Sequence, residues 1–533
     1  MRHRTEHRRK TTPAGGARRR GVFRVGAVGL SILLFAAACT ASEEALEAVD
    51  DDAEPAEPAS EAEPDGGTLV VAQSADIDTL DPAMHRDRIT QAVVRNVFEG
   101  LVNQDADLDP IPELAEDWEA IDDTSWRFHL REGVEFHNGE PFNAEAVQFS
   151  IERVLDEEQG SPRASMLDMI SEVEIEDDYT VVIRTDEPAP TLLPSLAVNE
   201  IVPPGYVEEV GDDEFAAQPV GTGPFEFESH TPNEEVVLQA NADYWGGAPE
   251  IDTLIFRPIP ETASRIAELG SGAVHIAAEI PPDLADTLGD GVEAAPVDGT
   301  RVFYLAMNVT EAPFDDVDVR RGVNHAVDRD ELADDLLDGF ARPVVQPLFP
   351  EAIGYHDGYE GYDHDPELAG ELFGDAAAVQ IDVEERDQFL AEAVAGQLSA
   401  AGLEVSVNTM EAGAFTAAIE SGDSQAYLQS WGVAEGDSDV IFARHFYSPS
   451  RADAFYTGYE NAEVDALVEA GRSTVEIEER EEIYAEAVEI VMDDAPWAPL
   501  VNPQEIYGVA DSVQNFEPSR VGRFEVAESS LSQ

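Results

Sequence analysis

Between Thr262 and Trp431 the chain switches repeatedly between helix-spaced and strand-spaced apolar residues. Helical spacing over Thr262–Leu269 leads into a strand-like Ala273–Ala277. The run Val302–Val309 leads into a long helical pattern, about Val317–Leu337, stopped by Gly339. A helix at about Glu384–Ala401, closed by Gly402, leads to a strand at Leu403–Met410, and a helix at Phe415–Glu420 leads to a strand at Ala426–Trp431. Successive strands separated by helices are most simply laid down side by side, so this alternation predicts an α/β lobe with a mostly parallel sheet. Upstream the signals are more mixed. Thr68–Ala72 is an apolar run of strand length, Ile89 to Leu101 carries helical spacing, and Trp126, Phe128 and Leu130 alternate as in a half-buried strand. Asn143 stands where it can cap a helix bearing Val147, Ile151 and Val154, and Tyr179–Ile183 follows the turn residues Asp177 and Asp178. Phe225–Phe227 and Val236–Leu238 read as a hairpin around Pro232 and Asn233.

The 533 residues contain one cysteine, so neither a disulfide framework nor a Cys-rich metal site is available. The only lysine is Lys10, which removes a Walker A lysine and a lysine Schiff base from the remainder of the chain. A net charge of −81 argues against nucleic acid, whose phosphates require a positive surface.

The first forty residues read as an address. Nine basic residues precede Val25, against the single acid Glu6, and the apolar run Val25–Ala38 is 14 residues long. Spanning a bilayer takes about 20 residues, so this length suits a signal-peptide core. It ends at Ala36-Ala37-Ala38-Cys39, which resembles the lipobox of bacterial lipoproteins. That resemblance implies cleavage before Cys39 and its acylation. Ordinary cleavage after the alanines is the alternative, and both Sec and twin-arginine export remain open. Removing residues 1–38 takes away nine bases and one acid, deepening the net charge from −81 to −89. Residues 39–65 follow as a tether: Thr40–Asp65 holds eleven acids, three prolines and no aromatics, too little apolar surface to offset the entropy of ordering.

Five stretches, in order along the body, carry a resemblance. They are Thr79-Leu80-Asp81-Pro82; the stretch from Pro112 through Trp118 and Phe128–Gly139 to Pro141–Glu145; Val220–Phe225 with Asn241–Trp245; Asn308 leading to Val319–Arg329; and Ser430-Trp431-Gly432 followed by Gly436–Asp439. Together they resemble the extracellular solute-binding proteins of ABC importers, in the peptide/nickel group, family five. The resemblance implies an α/β two-lobe clamp of the periplasmic-binding-protein type. Lobe I is expected at 66–257 and 500–533, with an extra subdomain at about 98–220. Lobe II is expected at 258–499. The chain is expected to cross between them near Arg257–Pro260 and Pro496–Pro503.

It also implies an extracytoplasmic receptor, expected to act as a monomer. Such a receptor closes on a peptide or peptide-like solute and presents it to the transmembrane subunits of an ABC permease. The membrane is reached through lipidated Cys39. A clamp needs polar partners for the ligand's main chain and a flat contact for its body. The ligand-binding candidates are therefore Leu80, Asp81, Tyr304, Asn308, Trp431, Gly432, Ala434, Glu435 and Asp437. Peptide-binding relatives often place an acid shortly after this Trp-Gly to pair with the ligand's α-amino group. Ala434 occupies that position here, so Glu435 or Asp437 is the expected substitute. Asp437→Ala is then expected to weaken binding of an amine-bearing ligand without unfolding the protein. Asp437 and Asp439 as a helix cap and first-turn charge are the competing reading.

There is no Gly-x-Ser-x-Gly elbow and no His-Glu-x-x-His helix. Asp105, Asp107, Asp109 and Glu116 imitate a calcium loop, but Pro110 stands where the turn requires glycine. His356, Asp357, Asp363, His364 and Asp365 read as a polar loop before a helix at Pro366–Phe373. No cofactor, no metal and no catalytic residue are expected. The alternatives carried are a receptor for a nickel or metallophore chelate, an anchored peptide hydrolase, and a ligand-loaded sensor.

Overall fold

The computed structural model describes residues 67–433, 436–452 and 457–532. The signal segment, Cys39, the acidic tether, Ala434 and Glu435 lie outside them.

Two principal sheets organise the chain. The first has eight strands, running in the order Val292–Asp298, Val501–Ala510, Ile276–Ala277, Thr68–Gln73, Thr253–Pro258, Glu235–Ala240 and Phe225–Thr231, with Ala341–Pro343 added on Val501–Ala510. The second has five, in the order Val405–Met410, Val379–Glu384, Ala426–Gly432, Arg301–Met307 and Trp497–Pro499. A separate four-stranded antiparallel sheet, Ala115–Asp122, Ser125–Leu130, Thr180–Thr185 and Ile170–Asp177, packs with the helix Ala144–Leu155 around its own core.

The apolar runs follow from burial on both faces. In Thr68–Gln73, Leu69 and Val71 enter one core while Val70 and Ala72 enter another. In Arg301–Met307, Phe303, Leu305 and Met307 face one core and Val302, Tyr304 and Ala306 the other. A strand covered on both sides cannot alternate with polar residues, so it reads as a continuous apolar stretch. The long helix expected over 317–337 is two pieces: Val317–Ala326 ends at the extended Val327, and a π-helical turn follows at Glu331–Leu336. The helix expected from Glu384 starts at Gln388 and is preceded by the strand Val379–Glu384.

The first sheet continues past Arg257–Pro260, because the helix Thr262–Ser271 returns the chain to it as Ile276–Ala277 and again as Val292–Asp298. Prolines there mark an ordinary strand-to-helix connection. The crossing is Gly299-Thr300, after which Arg301 opens the second sheet. The return is one residue, Leu500, between Trp497–Pro499 and Val501–Ala510. Buried Asn502 ties the two crossings together, its amide donating to the carbonyls of Gly299 (2.8 Å) and Arg301 (2.7 Å). Gly299 is required by space: a Cβ there would lie 2.5 Å from the Pro503 carbonyl oxygen.

Candidate functional site

The two sheets bring corresponding ends to the junction. In the first, Thr68–Gln73 runs parallel to Thr253–Pro258 and to Ile276–Ala277, so Gln73, Pro258 and Ala277 finish at one end, where Val501–Ala510 begins. In the second, Val379–Glu384, Val405–Met410 and Ala426–Gly432 run parallel and finish beside Arg301, which pairs with Gly432. Open α/β sheets bind ligands beyond their carboxyl ends, where loops diverge and main-chain groups lack strand partners. Here two such ends meet across the crossings.

On the first-lobe side a crevice is lined by Gln73, Ser74, Arg88, Glu279, Glu505 and Tyr507, with Gly522 at its rim. Glu505 joins the lobes: one carboxylate oxygen accepts from Arg88 Nη1 at 3.1 Å and forms an ion pair with Arg301 Nη2 at 3.2 Å. Burial alone would raise the Glu505 carboxyl, but Arg88 and Arg301 outweigh it and hold it below the usual carboxylate range. Arg342, on the added strand Ala341–Pro343 of the first sheet, pairs with Asp298 at 3.4 Å and with Glu351 at 2.9 Å.

On the second-lobe side the strand Ala426–Gly432 ends with Trp431 half-buried and Gly432 exposed. Trp431 meets the His445 ring edge-on, with centroids 5.0 Å apart, and carries the Arg444 guanidinium 4.8 Å over its face. Burial, with Arg444 adding to it, pushes the His445 imidazole down to about 3, so it is neutral at ordinary pH. A Cβ on Gly432 would lie 2.7 Å from Arg301 Cγ, so this glycine lets the Arg301 stem cross the end of the strand.

Contact between the lobes extends beyond the crossings. The hairpin Val102–Gln104 and Pro110–Pro112 carries Leu108 at its tip, with a positive φ of 70°. Asp105 fastens the tip by accepting from the Asp107 and Asp109 amides. Leu108 is buried in the second-lobe core and abuts Gly436.

Several expected binding residues are core elements. Asp81 is buried, caps the turn Pro82–Met84, and takes both Nη groups of Arg153 at 2.9 and 2.5 Å. Leu80 is packed in the first-lobe core. Tyr304 is fully buried and stacks on Trp497, rings 3.5 Å apart and 5° from parallel, because its strand is central. Asn308 is buried and closes a turn, accepting from Thr310 N and Oγ1 while donating to the Gly422 carbonyl. Asp437 is fully buried; Arg480 holds its two oxygens at 2.6 and 2.8 Å, and it caps the helix Ser438–His445. Asp437 was expected to take a ligand amine; in the structure its carboxylate is paired with Arg480. Trp431 and Gly432 remain at the junction. Arg88, Arg301, Glu505 and Arg444 were not anticipated. Their sequence signal was the scarcity of bases in an acidic chain, which makes each arginine at a strand end informative.

The sequence model for "Bacterial extracellular solute-binding proteins, family 5 Middle" matches residues 109–453. Among curated relatives, the glutathione-binding protein GsiB of Salmonella typhi is 29% identical over 456 residues, covering 81% of this chain and 88% of that protein. Among solved structures, the periplasmic binding protein DppA of Helicobacter pylori, in complex with the peptide STSA, superposes with a TM-score of 0.75 at 26% identity, covering 88% of this chain and 98% of that one. The ABC transporter substrate-binding protein CtaP of Listeria monocytogenes shares the fold, with a TM-score of 0.81 at 23% identity, 88% of this chain and 100% of that one being covered. A family match across this much of the body, together with two α/β lobes meeting at their strand ends, establishes that the chain belongs to the family 5 bacterial extracellular solute-binding proteins.

Proposed function

We propose that this protein is the anchored receptor of an ABC importer, capturing a peptide-like solute at the lobe junction and delivering it unaltered to the permease. The observation that carries the reading is the junction itself: two sheets face each other by their carboxyl ends across crossings of two residues and one. Rotation about such a junction traps a solute and excludes water, which strengthens each matched polar contact. The names of the relatives favour peptides, since one binds glutathione and another was solved with a four-residue peptide. The extent of the lobes is part of the reading: 66–298 with 501–533 for the first, 301–499 for the second, and the four-stranded sheet as the first lobe's extra subdomain. Trp431 supplies a flat contact and Gly432 an approachable main chain. Cys39 tethers the body to the outer face of the membrane as a monomer. Among the described residues no helix is long and apolar enough to cross a membrane.

The test is mass spectrometry of solute released from purified protein, with tryptophan fluorescence recorded as it is titrated back. Intact solute, close to one per protein and with a closure-linked change in Trp431 emission, is expected. Cleavage of a peptide library by the protein overturns the reading.

A further inference from the structure

The hairpin tip that reaches the second lobe carries a strained residue. Six non-glycine residues among the described ones have a positive φ, and Leu108, at 70°, is the only one of them with a large apolar side chain. That conformation crowds Cβ against the main chain and is ordinarily left to glycine. Such an outlier persists where its surroundings over-determine it. The main chain of the tip is satisfied within the first lobe. Leu108 N donates to the Asp105 carbonyl at 3.1 Å, and Asp105 N to the Asp109 carbonyl at 3.0 Å. Gln104 Nε2 donates to the Leu108 carbonyl at 3.2 Å, while Gln104 Oε1 accepts from Arg523 Nη2 at 2.7 Å. A glycine at 108 would keep each of these bonds without the strain.

What a glycine would lose is the side chain, and that side chain belongs to the other lobe. Leu108 is 6% exposed, and every other buried member of the core it joins lies between Val302 and Trp497. Its seat is built as firmly as the tip. Gly436 also has a positive φ, 71°, and a Cβ there would lie 3.2 Å from both Leu108 Cβ and Leu108 Cδ1. The Gly436 carbonyl accepts from Ile353 N at 3.0 Å, and the next residue, Asp437, is held by Arg480. The seat lies a few residues beyond Trp431, in the loop that leaves the strand Ala426–Gly432 at the junction. A preformed knob on one lobe thus meets a preformed socket on the other, and no hydrogen bond of either depends on the meeting.

We propose that Leu108 is the latch of the clamp: it leaves its seat at Gly436 when the lobes part and returns when they close, so that its burial holds the closed form around the solute. This deepens the receptor reading and rests on it. Leu108 is a positioning residue, acting on the lobes and not on the solute. A latch shifts the equilibrium between open and closed lobes, so it changes the affinity for every solute by the same factor. A side chain in contact with the solute would instead discriminate between solutes. Closure is also what offsets the strain at the tip.

The test joins the two sides covalently. Leu108→Cys with Gly436→Cys sets two Cβ atoms about 3.2 Å apart, within a small shift of the separation a disulfide spans. The probes are the peptide Ser-Thr-Ser-Ala and S-methylglutathione, whose blocked thiol leaves the cross-link intact. Oxidised after loading, the double variant is expected to retain each probe until a reductant is added; oxidised while empty, it should refuse both. In small-angle scattering the empty double variant should be more compact cross-linked than reduced. Leu108→Gly should weaken both probes by the same factor, about tenfold or more, through faster release, without lowering the melting temperature of the empty protein. Leu108→Met should keep most of the affinity. Probe exchange that ignores the cross-link, or identical scattering of the two empty forms, shows a contact that never parts and overturns the proposal. L108G that loses melting temperature with both affinities intact, or that weakens one probe alone, also overturns it. Wild type that binds neither probe, while reduction still opens the empty double variant, supports the latch and counts against the peptide reading beneath it.

Discussion

Replacing Asp437 by alanine should unfold this protein more readily rather than blunt its binding. The Asp437–Arg480 pair has 0% and 1% side-chain exposure and is joined by two hydrogen bonds. Removing the carboxylate leaves a buried guanidinium without a counter-charge, which costs about 3–5 kcal/mol. Asp437 also caps the helix Ser438–His445 by accepting from the Asp439 amide, and losing a cap adds about 1 kcal/mol. The combined loss is a large share of a stability that is ordinarily about 5–15 kcal/mol. Guanidinium unfolding followed by circular dichroism reads it as a lowered midpoint. Asp437→Asn keeps the cap and should lose about 1 kcal/mol less. The double replacement Asp437→Leu with Arg480→Met removes both charges and should regain most of the single-mutant loss, because a buried pair contributes little over well-packed apolar side chains. An Asp437→Ala protein within about 1 kcal/mol of wild type, or one that keeps its midpoint and loses only solute affinity, refutes the reasoning.

Three further outcomes follow from the junction. Gly299→Ala forces a methyl group against the Pro503 carbonyl and should cost about 1–3 kcal/mol, seen as a lower melting temperature together with a changed radius of gyration in small-angle scattering. The Glu505 carboxyl is held below its ordinary range, despite burial, by Arg88 and Arg301; its contribution is therefore complete above the unfolded carboxylate value of about 4.3 and is lost as pH falls through the depressed folded value. Glu505→Gln should remove that part of the acid-induced loss in a stability–pH series. His445 is held neutral down to about 3, so below about 6.5 the unfolded chain takes up a proton that the folded chain refuses. Stability should fall between those values, His445→Phe should flatten the slope, and a His445 resonance, assigned by its loss in His445→Phe, that titrates near about 6.5 in the folded protein contradicts the assignment.

Much of the architecture could be read from spacing. Val302–Val309 and Ala426–Trp431 fall on real strands because their apolar residues feed cores on both faces of a sheet, and Thr262–Leu269 falls on a real helix whose Leu269 and Ile266 enter one core. The strand Val379–Glu384 escaped notice because Asp382 interrupts it. That carboxylate is buried and satisfied by Ser424 Oγ and Asn408 Nδ2, partners 42 and 26 residues away. The binding residues were harder for the same reason. Asp81 and Asp437 look like ligand acids until Arg153 and Arg480 are found on them, 72 and 43 residues distant in sequence. Pairing of charges is a tertiary property. Trp431-Gly432 was legible because its position at a strand end is local. Glu505 and Arg301 were not, because what matters about them is that they meet.

Asn502 has a mechanical consequence. Two connections lying side by side, pinned by one amide and braced by the strand Ala341–Pro343 on Val501–Ala510, should act as a hinge that lets the lobes swing about the line through the pins and resists shearing or twisting. Each closing stroke should then retrace the same arc and bring the outer rims of the lobes to the same mutual orientation whatever small cargo lies between them. A transporter that must tell a loaded carrier from an empty one needs only to sense how far the gate has swung.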